Sequence, residues 1–429
     1  MNEDFLQFIW KQNLFSKANL FSTKGNAIDI LDVGKQNFDA GPDFFDARIK
    51  IDNVLWAGNV EIHLKSSLWY SHSHDEDSAY DNVILHVVLE DDSSVVLENE
   101  RAIPCLEMSF TPGLLDNYRN LMSSVKWIPC FDEISTIQSF FVRNWLDRML
   151  LERLERKSNE IKDILEQNNN SWEETFYQVL ARYFGMKVNA DPFQQLARSI
   201  PMKFLARQKN SLHQLEALLF GQSGLFEKFN CEDEYLDGLK LEYEFLANKY
   251  QLKPLTPGRW KWLRLRPSNF PTIRIAQFAS LVHNSQSLFS QILSADSIAE
   301  VTNLLNCQAS DYWTTHYQFG LETNEKLKVF GQSSIDGLII NCVVPVLFLY
   351  GRMNDSQKWK DRACDMLEEL PAEKNSITKK WKECGVDVKS AYHSQALLQL
   401  KSNYCDSSNC LKCEFGNRII RSVSADLSL

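Results

Sequence analysis

Gly41-Pro42-Asp43-Phe44, followed by Gly58-Asn59-Val60-Glu61-Ile62-His63-Leu64-Lys65, is the part of the sequence that decides the fold. Side chains alternate across a strand, so Glu61, His63 and Lys65 share one face while Val60, Ile62 and Leu64 share the other. The apolar set packs into a core. A carboxylate, an imidazole and an ammonium are then left in a row on one surface of a sheet. Pro42-Asp43 opens the neighbouring strand and is placed to bring a second carboxylate beside Glu61. Two carboxylates at that spacing are what Mg²⁺ or Mn²⁺ requires, with phosphate and water completing the shell. A nearby Lys or neutral His then polarises a water or steadies a pentavalent phosphate.

The strands extend outward from this pair. Ala27–Val33, Phe44–Ile51 and Val54–Leu64 alternate, and Val83–Leu89 is the near-continuous apolar run of a strand covered on both faces. Short strands are expected at Val95–Leu97 and Leu106–Phe110, and an amphipathic helix over Glu3–Trp10 precedes them all. From about residue 113 the periodicity becomes helical. Helices are expected at Val142–Glu166, from the capping box Ser171-Trp172-Glu173-Glu174, and at Leu212–Phe220, Tyr235–Tyr250, Ile275–Leu293 and Trp359–Leu370. The fold class is therefore α+β. A small mixed-sheet domain over residues 1–112 is followed by a larger, mostly helical domain over 113–400 and a Cys-containing tail over 401–429.

A helix bearing a Glu, a strand opening with Pro-Asp and then a strand with a Glu resemble the PD-(D/E)xK nuclease superfamily. The resemblance covers the first 90 to 110 residues and implies a restriction-endonuclease-like domain. It places Glu3 (or Asp4), Asp43 and Glu61 at three acidic metal-binding positions, with Mg²⁺ or Mn²⁺ as cofactor and nucleic acid as substrate. The departure is His63, which stands two residues after Glu61 where the superfamily usually has Lys; Lys65 lies two further along on the same face. Without the resemblance, the same residues read as solvated charges on one strand face. Next comes His72-Ser73-His74-Asp75-Glu76-Asp77, and four of the eight histidines fall between residues 63 and 86. His72 and His74 are candidate accessory ligands or part of an exposed polar loop. His86, inside an apolar strand, is either a hydrogen-bonded core residue or a support for the ligands.

Two further segments carry chemistry. Pro257 to Arg274 holds Arg259, Lys261, Arg264, Arg266 and Arg274 with Trp260, Trp262 and Phe270, and no acid. It reads either as a nucleic-acid groove or as a Pro-bounded loop anchored by buried aromatics. Cys405, Cys410 and Cys413 have the spacing of a Zn²⁺ or [4Fe–4S] site, both of which want four ligands, or are plain thiols. Cys384, His393, Cys130 and Cys342 are candidates for the fourth position.

At 44% hydrophobic and 24% charged residues, a disordered or fibrous chain is excluded. Residues 1–110 hold 19 acids and 8 bases, so the net charge of -10 lies almost entirely there, against a general nucleic-acid coat but not a local basic groove. With no leader-like N-terminus, no run of about 18 apolar residues and ten cysteines, a cytoplasmic location away from membranes is expected. Nearly the whole chain also resembles an uncharacterised bacterial domain-of-unknown-function family common in Bacteroidetes. Gly41-Pro42-Asp43-Phe44, Gly58 to His63, Arg264 to Pro271 and Ser394-Gln395-Ala396-Leu397 carry that resemblance, which implies one architecture and no particular activity. The expected function is a metal-dependent nuclease or related phosphodiesterase, with Glu61, His63 and Lys65 catalytic. The alternatives are a non-catalytic nucleic-acid or protein interaction module, and a metal-dependent hydrolase of a non-nucleic substrate.

Overall fold

The computed structural model describes residues 1–97 and 101–422; the last seven residues of the expected tail lie outside them. The chain divides into two compact units. The first comprises Met1–Leu146, Lys380–Val386 and the segment from Leu398; the second comprises Asp147–Lys379 and Asp387–Leu397. The residues between 112 and 146, and the described part of the tail, therefore belong with the sheet.

The first unit begins with α1 (Glu3–Lys11), capped by Asn2, whose side chain accepts from the Phe5 N–H. Its Phe5, Leu6, Phe8, Ile9 and Trp10 are buried. The strands are β1 (Ile28–Asp32), β2 (Lys35–Gln36), β3 (Phe44–Ile51), β4 (Val54–Lys65), β5 (Val83–Glu90) and β6 (Cys105–Glu107). They form a mixed sheet of order β1-β3-β4-β5-β6, with β2 also on β3. β3 and β4 are a hairpin turned by Asp52-Asn53, both at positive φ as a tight two-residue turn demands. β4 then pairs parallel with β5, and β5 with β6. The parallel step needs a crossover, and the segment that makes it carries α2 (Leu68–Ser71), His72 and His74.

Two local devices aim β4. A register shift between Phe44 and Ala47, with Asp46 at φ 60°, is a bulge that re-aims the start of β3 beside the Glu61 strand. Gly58 is required because a Cβ there would sit 2.6 Å from the Asn82 carbonyl oxygen and 2.4 Å from Ile84 Cγ2. The expected strand at Val95–Leu97 reduces to one bridge, Val96 to Ala102. After the sheet comes α3 (Pro112–Ser123), whose Asn117 donates to the Ile419 carbonyl at 3.0 Å.

The second unit is mostly helical. The expected helices appear within Ser139–Gln167, which spans the division, and at Trp172–Phe184, Leu212–Gln222, Glu234–Tyr250 and Gln357–Glu369. The expected Ile275–Leu293 helix is broken into Pro271–Asn284 and Leu288–Ser294, because Ser287 takes a left-handed conformation. One helix, Gln332–Met353, is long and apolar enough to cross a membrane by length and composition, but 72% of its most apolar window is buried inside the protein. It widens into a π turn at Ile339–Val343, just before Pro345, whose missing N–H interrupts the regular ladder.

Candidate metal centre

Glu61 and His63 alternate onto one face of β4, in the stretch where the strand is buried, at 4% and 1% exposure. The crossover that follows β4 closes over that face with Trp69, His72 and His74. Glu61 Oε1 lies 3.4 Å from His63 Nε2 and 3.3 Å from His74 Nε2. His72 Nδ1 approaches His63 Nε2 at 3.2 Å. A ligand atom from each of His63, His72 and His74 falls within 4.8 Å of the others. The crossover thus returns two imidazoles to the strand that carries the third.

Asp43 is locked to the same place by main-chain bonds. Its N–H donates to Glu61 Oε2 at 3.0 Å, and its own Oδ2 accepts from the Ile62 N–H at 3.0 Å. Gln7, one helical turn after Glu3 on α1, donates to Asp43 Oδ1 at 2.7 Å. Burial, then the nearby Glu61 charge, pushes the Asp43 carboxyl up to about 8. Glu3 joins the group from α1. Burial raises its carboxyl, while His72 lowers it and Glu61 raises it further. Its Oε1 is buried with no hydrogen-bond partner among the described residues.

Behind this cluster stands His86, paired with Glu61 in the β4–β5 register. Its Nε2 lies 2.9 Å from His63 Nδ1. When His63 presents Nε2 as an acceptor, Nδ1 carries the proton and donates to His86. Burial, then His86, His74 and His72, depress His63 to about 2; burial depresses His86 to about 4, against the Asp91 charge that raises it. Both rings are therefore neutral imidazoles, the form that ligates a metal. Tyr80 stacks on His74 with ring centroids 3.9 Å apart, and Trp69 meets His74 and His86 edge-on. These rings wall the centre with apolar surface.

Three carboxylates crowded together beside neutral imidazoles, two of them held above their usual range, fit a divalent cation: the donor set matches and the cation relieves the repulsion. Glu3, Asp43, Glu61, His63, His72 and His74 are all brought together. Lys65 is not part of the cluster. It is half-exposed and paired with Glu90 at 2.9 Å and Asp92 at 3.8 Å. Gln7 and Tyr80 escaped the sequence reading, although the Glu3–Gln7 spacing of one turn would have placed Gln7 on the Glu3 face.

In the basic segment, Arg259, Lys261, Arg264 and Arg266 are exposed. Arg274 is not available to a surface ligand: it is buried, with its guanidinium on Asn269 at 2.6 Å and Gln277 at 3.1 Å and over the Phe330 ring. Trp260 is a core anchor whose indole donates to the Ser223 carbonyl at 2.8 Å, and Trp262 is half-buried under Lys228. Cys405, Cys410 and Cys413 lie close together in the first unit, on turns preceding the helix Glu414–Arg421.

The fold and site define an α+β protein with a carboxylate–imidazole centre built on an interior strand of a mixed sheet. The chain belongs to the family described as Protein of unknown function (DUF2851), whose model matches residues 3–376 and so takes in the whole of this centre. No curated protein and no solved structure matches the chain.

Proposed function

We propose that this chain is a metal-dependent nuclease, or a phosphodiesterase related to it. The observation that carries the reading is the meeting of Glu3, Asp43 and Glu61, from a helix, a strand opening and an interior strand, on one imidazole cluster. That is the arrangement implied by the PD-(D/E)xK resemblance, with histidines filling the place of its Lys. Glu61, His63, His72 and His74 would hold the ion, and Asp43 would offer a further carboxylate to it. Nitrogen donors favour Mn²⁺ over Mg²⁺. The bound ion supplies Lewis-acid polarisation of the scissile phosphate and eases deprotonation of water.

The remaining work falls to the chain's own groups. His86 fixes the His63 tautomer. Gln7 and the Ile62 N–H orient Asp43. Glu3, with a free oxygen beside the cluster, accepts the proton of the attacking water. As the water oxygen bonds to phosphorus, the bond to the leaving oxygen breaks and that oxygen takes up a proton from solvent as the product leaves. Trp69 and Tyr80 exclude bulk water. The exposed Arg259, Lys261, Arg264 and Arg266 supply phosphate contacts to a nucleic acid. Ten cysteines outside any disulfide support a reducing, cytoplasmic setting.

The three clustered histidines also suit a hydrolase of a non-nucleic substrate that uses Zn²⁺ or Fe²⁺. A substrate panel of single-stranded DNA, duplex DNA, RNA and a generic phosphodiester, each with Mg²⁺, Mn²⁺ or Zn²⁺, separates the readings. Asp43→Ala and Glu61→Ala should each abolish cleavage while leaving the circular dichroism spectrum unchanged. Cleavage that survives both substitutions rules the nuclease reading out. Salt-dependent binding without cleavage, indifferent to Asp43→Ala, establishes the interaction module instead.

A further inference from the structure

A second cluster of metal-ligating side chains lies in the same unit and outside the histidine centre. Cys405 ends a π turn, Lys401–Cys405; Cys410 begins a short 3-10 turn; and Cys413 caps the helix Glu414–Arg421. More than 270 positions earlier in the chain, Cys130 comes back to meet them. Its thiol feels the charges of Cys413 and Cys410, and Cys405 feels Cys413, Cys130 and Cys410 in turn. Cys130, Cys410 and Cys413 are buried at 6–7% exposure.

The other candidates for the fourth position are placed elsewhere. Cys342 sits beside Lys157 in the second unit, and His393 bonds Ser390 there. Cys384 has Glu383 as its charged neighbour.

We propose that Cys130, Cys405, Cys410 and Cys413 form a four-thiolate metal centre, holding an iron–sulfur cluster that fastens the C-terminal segment onto the sheet unit. Thiols drawn from two distant stretches, three of them buried, become strong ligands as thiolates. Burial holds all four thiols above their ordinary range, and local groups oppose that rise at Cys405 and Cys413. The N–H groups of Phe415 and Gly416 are directed at the Cys413 sulfur, and Lys401 lies beside Cys405. N–H donors to sulfur are a recurrent feature around such centres and tune them. The spread of the sulfurs favours the cluster. Among the described residues the histidine trio is gathered within 4.8 Å, whereas the cysteines form no such tight group. A single zinc ion holds its sulfurs at ~2.3 Å from itself and draws them closer together than that. In a cluster each iron takes one thiolate, so the sulfurs stand further apart.

The test is iron, zinc and acid-labile sulfide analysis on the full chain purified without oxygen, with a visible spectrum, for wild type, Cys130→Ser, Cys413→Ser and Cys384→Ser. Iron and sulfide in equal amounts, lost in the first two variants and retained in Cys384→Ser, is the expected result. Zinc in place of iron overturns the cluster. Metal-free protein, or iron retained by Cys130→Ser, overturns the centre. Should Cys130→Ser fail to fold, native wild-type protein is alkylated before and after treatment with an iron chelator. The proposal requires these four thiols to become reactive together on chelation, and labelling of any other set refutes it. Neither outcome depends on whether the histidine centre cleaves anything.

Discussion

Glu216 offers a sharp test of the packing of the second unit. It lies on the helix Leu212–Gln222 at 1% exposure. One carboxylate oxygen accepts from the Tyr235 hydroxyl and the other from Ser310 Oγ at 2.8 Å. Burial raises this carboxyl from its ordinary 4.5 to about 7, and the hydrogen bonds only partly oppose that rise. The folded state therefore holds the proton more tightly than the unfolded chain. The stability this contributes is fully present below pH 4.5 and is lost as pH rises through about 7. At ~1.4 kcal/mol per pH unit, the span is worth about 3 kcal/mol. Glu216→Gln keeps an acceptor for either hydroxyl and does not titrate. Its stability relative to wild type should therefore increase by about 3 kcal/mol between the acid and alkaline ends of that range. Urea unfolding of the full chain, followed by tryptophan fluorescence at pH values bracketing the range, measures this. An equal stability difference at both ends would mean that Glu216 is not a buried titrating group, and the argument from its burial would fail.

Other perturbations probe the centre and its supports. Gly58→Ala forces a Cβ against the Asn82 carbonyl and Ile84, and should lower stability by about 1–3 kcal/mol through overpacking, seen as a lower urea midpoint. His86→Phe removes the partner of His63 Nδ1 and should weaken Mn²⁺ affinity by about 10–100-fold in a calorimetric titration, with little change in the fold. Replacing the exposed Arg264 and Arg266 by Ala should reduce the salt dependence of nucleic-acid binding by roughly one charge each. Arg274→Ala should instead lower stability by about 1–3 kcal/mol, because it strips buried hydrogen bonds from Asn269 and Gln277. A loss of affinity without a loss of stability at Arg274 would contradict its placement.

The sheet was legible because its strands obey a two-residue period and its hairpin has the turn residues it needs. Phe44–Ile51 is found with the expected bounds, and Val83 begins the apolar run where the pattern places it. The acidic positions were legible for the same reason: alternation puts Glu61 and His63 on one face. Lys65 obeys the same alternation, yet β4 emerges from the core at its end, where Glu90 and Asp92 take up the ammonium. Periodicity gives the face and not the depth. The arginines of the basic segment show the same limit, since Arg274 falls in the first turns of a buried helix while its neighbours stay outside. The proposed union of Cys130 with the C-terminal cysteines joins stretches too far apart for spacing to single out one of the four candidates. The break at Ser287 rests on one residue's backbone conformation, which carries no hydrophobic signal.

The central claim is that the clustered histidines and carboxylates around Glu61 form one metal site, and Mn²⁺ titration with pulsed electron paramagnetic resonance tests it most directly. Wild-type protein should bind Mn²⁺ in a single class of site whose spectrum shows coupling to imidazole nitrogen, and Glu61→Gln should abolish that signal while the fold persists. Mn²⁺ that binds without nitrogen coupling, or equally well in Glu61→Gln, would contradict the account.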